Sequence, residues 1–291
     1  MIFLFPAFAE AANINVPKSA VQGGVIRILI TDPNDGEYQI QFSPVGWPQN
    51  DKIIVVRAVN LDGGRKIALI PVAPDEVAGL ALITIFTPTS GNTYPVEIKK
   101  TNFPESLRLF HIPKPTPEIL KKSQEEREFL DDIYARLTQK KYFSGNLLFA
   151  SPLEKMDIVP NANFGQIRKK VLVNPKTYKT ISRWKDYHKG ADFLAFTGTP
   201  VFAVEDGRVV AARRLLGSGN TIIIDHGYGL LSLYFHLAKI DTQEGVEVVR
   251  GQKIGLVGMS GNAEGPHLHF EIRLYGVPVN PFGFFRPGGV K

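Results

Sequence analysis

From residue 25 to residue 100, short apolar and β-branched runs alternate with clusters of turn formers. The runs cover 25–30, 37–42, 52–58, 66–72, 81–86 and 94–98, and the connectors include Asp32-Pro33-Asn34-Asp35-Gly36, Asp62-Gly63-Gly64 and Ser90-Gly91-Asn92. Such regular spacing predicts a small β-sandwich of immunoglobulin-like type, with boundaries at 13–105. The pattern then changes period. Thr116 is suited to cap a helix that has Pro117 at its first position, and Ile119, Leu120, Leu130, Ile133, Tyr134 and Leu137 recur at helical spacing. An amphipathic helix over 117–139 is expected, within a linker spanning 106–150.

A second β domain is expected over 151–291, so the chain as a whole is mostly β. Strands are predicted at Val201–Val204, Arg208–Ala212, Lys253–Val257 and His267–Arg273. Thr221–Asp225 and Leu230–His236 read as a hairpin closed by Gly227-Tyr228-Gly229. The segment between Arg168 and His188 reads instead as a long loop. It carries Lys169, Lys170, Lys176, Lys179, Arg183 and Lys185 with Trp184 and Tyr187, a composition suited to a groove wall.

Composition narrows the chemistry. There is no cysteine, which excludes thiolate catalysis, Cys-zinc sites, disulfides and a lipid anchor through an N-terminal Cys. Residues 161–291 carry 17 Lys+Arg against 10 Asp+Glu, or +7 of the chain's formal +6, leaving −1 for the remainder. A basic domain favours a polyanion without saying which one, and no nucleic-acid motif accompanies it. The apolar start, Met1 to Phe8 followed by Ala9-Glu10-Ala11, reads as the remnant (1–12) of a secretory signal that begins upstream, so an exported protein of the periplasm or cell envelope, or a secreted one, is expected. No apolar run reaches the roughly 18 residues a transmembrane anchor needs.

Four of the six histidines stand in contexts that can converge. His188-Lys189-Gly190-Ala191-Asp192 offers an imidazole and a carboxylate four residues apart, either on a helix face or, given Gly190, on a loop entering a strand. Gly265-Pro266-His267-Leu268-His269-Phe270-Glu271-Ile272-Arg273 reads as a strand of period two, with His267, His269 and Glu271 on one face and Leu268, Phe270 and Ile272 on the other. His236 closes the strand Leu230–His236 and is expected on the face of Tyr234. His226 at the turn reads as structural, and His111 carries little functional weight. Glu271 reads as an exposed carboxylate paired with a nearby base, with support of a ligand as the alternative.

Across 160–282 these blocks resemble the lysostaphin-type, LytM-like zinc metallopeptidases. The matching positions are Phe164-Gly165-x-x-Arg168, His188-x-x-x-Asp192, Gly198-x-Pro200-Val201, Asp206-Gly207-x-Val209, Gly219 to Gly227 with Asp225, Tyr234-x-His236, Gly251-Gln252-x-Ile254-Gly255, Ser260-Gly261 and Gly265 to Glu271. The resemblance implies one Zn2+ per chain held by His188, Asp192 and His269, two catalytic histidines at His236 and His267, and peptidoglycan as substrate. It implies hydrolysis of a stem-peptide or cross-link bond by water that the metal activates, one histidine moving a proton and the other meeting the developing oxyanion. A regulatory protein partner is left unspecified. The N-terminal sandwich resembles the accessory domain of some secreted members. Rival chemistries lack their motifs: there is no His-Glu-x-x-His helix, no nucleophile elbow and no phosphate loop.

Overall fold

The computed structural model describes residues 12–33, 35–44, 54–61, 63–87, 90–144, 147–155, 157–158, 164–174 and 176–285, the side chains of 107–113 and 157–158 excepted. The expected signal remnant, apart from Ala12, lies outside the described residues. Two compact units divide the chain at Met1–Lys100 and Thr101–Lys291.

In the first unit each predicted run forms a strand. One sheet has the order Asn13–Asn15, Val25–Thr31, Arg65–Pro71, Val59–Asn60, all antiparallel. The other runs Ser19–Val21, Gly91–Lys99, Gly79–Phe86, Gln39–Pro44, Ile54–Arg57, with only the first pair parallel. Alternation shows directly in Val25–Thr31, where Ile26, Ile28 and Ile30 are fully buried while the residues between them face outward. Ile40, Phe42, Ile83 and Ile85 supply the buried side of the second sheet. This 4-stranded and 5-stranded division is consistent with an immunoglobulin-like sandwich.

The second unit is organised by an antiparallel sheet in the order Asp157–Ile158, Ala191–Leu194, His267–Leu274, Leu230–Leu237, Gly219–Asp225, Gly207–Leu215, Glu247–Val248. The predicted helix is present over Pro117–Ala135, with the Thr116 side chain accepting from the Ile119 amide. It stops short of 139 because the next residues are drawn to the sheet. Thr138 donates to the Asp225 carboxylate, and the Tyr228 amide donates to the Thr138 carbonyl. Ile133 is buried against Ala211, Ile223, Leu231, Leu233 and Phe235, with Phe129, Leu130 and Tyr134 packed beside it. The stretch placed in a linker at 106–150 therefore belongs to the second unit.

The segment expected to be a long loop is instead a hairpin. Ile167–Val173 pairs antiparallel with Thr180–Tyr187, and on its other side runs parallel to Glu105–Pro113. Asn174 builds the turn, its side-chain carbonyl accepting from the amides of Lys176 and Thr177. Thr180–Lys185 is solvent-exposed throughout and lacks an apolar alternation, so the backbone ladder and the ion pairs Lys170–Asp186, Lys169–Glu105 and Lys185–Glu105 mark the strands where hydrophobicity does not.

His226 is fully buried, its Nδ1 donating to the Asp206 carbonyl at 2.7 Å and its Nε2 2.8 Å from the Ser232 hydroxyl, which also meets the Tyr234 hydroxyl. Burial disfavours the imidazolium and pushes its pKa from 6.5 down to about 4. Between those two values the unfolded chain binds a proton that the folded chain does not, so stability falls as pH is lowered through the window. His226→Gln should flatten this slope by up to about 1.4 kcal/mol per pH unit. Urea unfolding of the second unit from pH 7 to 4 measures it, and an unchanged slope would rule out His226 as the source.

Candidate metal centre

Strand pairing sets the site. Ala191–Leu194 lies antiparallel to His267–Leu274 with Asp192 opposite His269 and Leu194 opposite His267, and opposed residues of such a pair share a face. Along His267–Leu274 the period of two places His267, His269, Glu271 and Arg273 in one row, while Leu268, Phe270 and Ile272 are fully buried on the other side. His188 precedes the first strand and is fixed by its backbone. Its amide donates to the Gln166 carbonyl at 2.9 Å, and its carbonyl accepts from the Gly165 amide at 2.8 Å.

Three side chains converge from these positions. His269 Nδ1 lies 2.6 Å from Asp192 Oδ1 and 3.0 Å from His188 Nε2, and His188 Nε2 lies 3.2 Å from the same Asp192 oxygen. All three residues are buried. Zinc bonded to nitrogen and oxygen at about 2.0–2.1 Å holds tetrahedral donors about 3.3 Å apart, so the group fits such an ion with little adjustment. Two imidazoles and one carboxylate leave a fourth position for water or substrate, the composition of a catalytic site rather than a structural one.

Two further imidazoles flank the group. The His236 ring lies 4.9 Å from that of His267 and 6.0 Å from that of His269. His236 does not lie on the face of Tyr234 as alternation suggests. Its φ of 62° is left-handed, and the ladder shifts register between Asn220 and Ile222, so a bulge turns His236 toward His267 while Tyr234 packs on Phe270 behind the sheet. His236 Nδ1 meets the Ser260 carbonyl and His267 Nδ1 the Gly265 carbonyl, each at 2.8 Å. A carbonyl only accepts, so each Nδ1 carries a hydrogen and donates it.

Charge in the site is closely compensated. Burial would raise the Asp192 carboxyl, but hydrogen bonds from His188 and His269 outweigh it and hold it well below the carboxylate range. Burial lowers His188, and it pushes His236 down to about 4, which keeps both rings neutral. His269 is the exception: burial opposes its charge, yet hydrogen bonds to Asp192 and Glu271 raise it to about 9. A metal ion at Nδ1 would displace that proton.

Four features escape the pattern reading. Glu271 is not exposed but buried, 3.1 Å from His269 Nε2 and 2.8 Å from Arg273 Nε. Arg168, marked in the sequence only as part of a motif, donates to the second Asp192 oxygen at 3.3 Å. Phe235 stacks flat on His269 with the ring centroids 5.3 Å apart. Gly190 is a steric necessity, since a Cβ there would stand 2.3 Å from the Phe270 carbonyl oxygen and 2.9 Å from His269 Nε2. Arg168 and Gly190 carried a sequence signal, the first as part of a motif and the second as a glycine between two candidate ligands.

Comparison with known proteins agrees with this geometry. Residues 186–281 match Peptidase family M23. Over 107 residues the chain is 41% identical to the peptidoglycan DD-endopeptidase ShyA of Vibrio cholerae serotype O1, covering 37% of this chain and 25% of that protein. It is 40% identical over 112 residues to the DD-carboxypeptidase/endopeptidase Mpg of Neisseria meningitidis serogroup B, covering 38% and 26%. The chain thus spans about a quarter of the length of these curated relatives. A crystal structure of a putative peptidase M23 from Pseudomonas aeruginosa superposes with a TM-score of 0.64 at 24% identity, over 93% of this chain and 96% of the other, and so shares the fold. The catalytic domain of lysostaphin from Staphylococcus simulans is 35% identical over 34% of this chain and 78% of its own, with a TM-score of 0.33.

The convergence of His188, Asp192 and His269 predicts that a divalent ion stabilises the second unit. Zinc at 100 times its dissociation constant should add about 2.7 kcal/mol, and Asp192→Ala should abolish the gain. Thermal unfolding with and without zinc measures this; a parent protein whose midpoint ignores zinc would discard the site.

Proposed function

The chain belongs to Peptidase family M23 through residues 186–281, and from that premise we propose that it is a zinc-dependent endopeptidase cutting peptide bonds in bacterial peptidoglycan. One observation carries the reading: three buried donors lie close enough to share one ion, with two imidazoles beside them that are tied through Nδ1 to backbone carbonyls. Zinc at that point would supply a Lewis acid that polarises the scissile carbonyl and lowers the pKa of water to about 7.

The chain's own residues do the rest. His188, Asp192 and His269 would hold the ion, and Arg168 orients the Asp192 carboxylate by donating to its second oxygen at 3.3 Å. His236 and His267 stand on one side of the group, one to take or relay a proton and the other, once protonated, to hydrogen-bond the developing oxyanion. Their Nδ1–H bonds to Ser260 and Gly265 fix both rings at no cost in reorganisation during the reaction.

Peptidoglycan enters through the relatives, one named a peptidoglycan DD-endopeptidase and another a DD-carboxypeptidase/endopeptidase. A substrate of the cell wall supports an exported protein, of the periplasm or cell envelope or secreted. Among the described residues no helix is long and apolar enough to cross a membrane. The first unit is read as an immunoglobulin-like accessory domain. The basic hairpin Ile167–Tyr187, with Tyr178 and Trp184 exposed on it, is read as a wall of the substrate groove, suited to the carboxylates of stem peptides.

Digestion of purified peptidoglycan with fragment identification by mass spectrometry tests the activity and names the bond. His269→Ala should lose both metal and turnover with the fold retained. His236→Ala and His267→Ala should keep one zinc per chain and lose turnover by about 100- to 1,000-fold each. Near-normal turnover in either removes that residue from the mechanism, and zinc retained at full occupancy by His269→Ala refutes the ligand assignment.

A further inference from the structure

The row of residues that begins with His267 and His269 continues, on the same sheet face, to Glu271 and Arg273 and ends against the helix. Glu271 Oε1 faces His269 Nε2 at 3.1 Å, and Arg273 Nε and Nη2 both reach Glu271 Oε2 at 2.8 Å. Arg273 is held in turn: Nη1 donates to the Gly276 carbonyl at 3.1 Å, and the guanidinium lies 4.4 Å from the centre of the Tyr134 ring. Tyr134 follows Ile133, the residue that buries the helix in the sheet, and its Cβ is 3.1 Å from where a Cβ on Gly276 would stand.

A carboxylate beside Leu233 and Phe235 is a costly neighbour for a core, and a buried ion pair is often replaceable by apolar side chains without loss of stability. Packing therefore does not account for Glu271. What it does account for is His269. With a metal at the Nδ1 that faces Asp192 and His188, the hydrogen of a neutral ring would sit on Nε2, and an acceptor at the position of Glu271 Oε1 selects that tautomer and that ring plane. Gly190 keeps the contact open, because a Cβ there would stand 2.9 Å from both the Glu271 Cγ and His269 Nε2.

Building on the metal site proposed above, we propose that Glu271 is the positioning residue for the ligand His269, and that Arg273 and Tyr134 lock Glu271, so that the seating of the helix Pro117–Ala135 sets how tightly the metal is held. The Glu271 carboxylate contacts His269 and Arg273 and is not part of the His188–Asp192–His269 group. Its effect passes through the Nε2–H bond, and the helix acts through the Tyr134 ring that packs on the Arg273 guanidinium.

The test uses the full chain, with zinc affinity measured by chelator competition and His269 followed by long-range 15N–1H NMR. Glu271→Gln should weaken zinc by about 10- to 100-fold and change the His269 nitrogen shifts toward mixed tautomers. Tyr134→Leu, which keeps the apolar packing but removes the ring over Arg273, should weaken zinc to a smaller extent; it also decides the matter if Glu271→Gln does not fold. Parent-like affinity and parent-like His269 shifts in the folded variants would overturn the inference while leaving the zinc site standing. A parent chain that binds no zinc would overturn both.

Discussion

The antiparallel register between Ala191–Leu194 and His267–Phe270 is the constraint on which the site depends. Two of the three residues of the candidate metal group, Asp192 and His269, are cross-strand partners, so their separation is fixed by the backbone ladder before any ion is considered. The register is locked from behind. Ala191, Phe193, Leu268, Phe270 and Ile272 are fully buried, and a slip of one residue would carry them to the polar face and Asp192 into the core. Core packing and metal geometry are thus two sides of one pairing, and Gly190 permits the close approach that brings His188 to it.

Around that pairing the electrostatics follow a simple rule: each buried carboxylate has an imidazole on its near side and a guanidinium on its far side. Asp192 lies between His269 and Arg168, and Glu271 between His269 and Arg273. Neither anion is left uncompensated, which is the condition for keeping charge out of water. The same logic sorts the histidines. His269 lies between two carboxylates, whereas His236 and His267 are tied through Nδ1 to backbone carbonyls.

Much of this arrangement is legible in the sequence, and the gaps have physical causes. Period two alone orders His267, His269 and Glu271 on one face, and the β-branched runs locate every principal strand of the first unit. Alternation misplaces His236, because a bulge and a left-handed φ are decided by the Ser218–Ser260 region that the strand's end contacts rather than by its own residues. It misses the hairpin Ile167–Tyr187, since an exposed strand stabilised by backbone pairing and lysine–carboxylate contacts has no hydrophobic signature. Glu271 looks exposed for the opposite reason: nothing in a strand's pattern says that His269 and Arg273 will enclose its carboxylate or that a helix more than 100 residues earlier will pack on Arg273 beside it.

That helix follows from the site itself. An antiparallel sheet can bury one face completely, as Leu268, Phe270 and Ile272 do here, but a face that carries a candidate metal site must stay open at one end for substrate to reach it. The remaining end of that face, formed by Ala211, Ile223, Leu231 and Leu233, is apolar and cannot be left to solvent. A second full sheet would close the site along with it. A single helix of 19 residues, apolar on one stripe through Phe129, Leu130, Ile133 and Tyr134, covers the apolar part and stops where the polar row begins. Its boundary with that row falls at Tyr134 and Arg273, where an aromatic ring suits both neighbours, offering apolar surface to the core and a π face to the guanidinium.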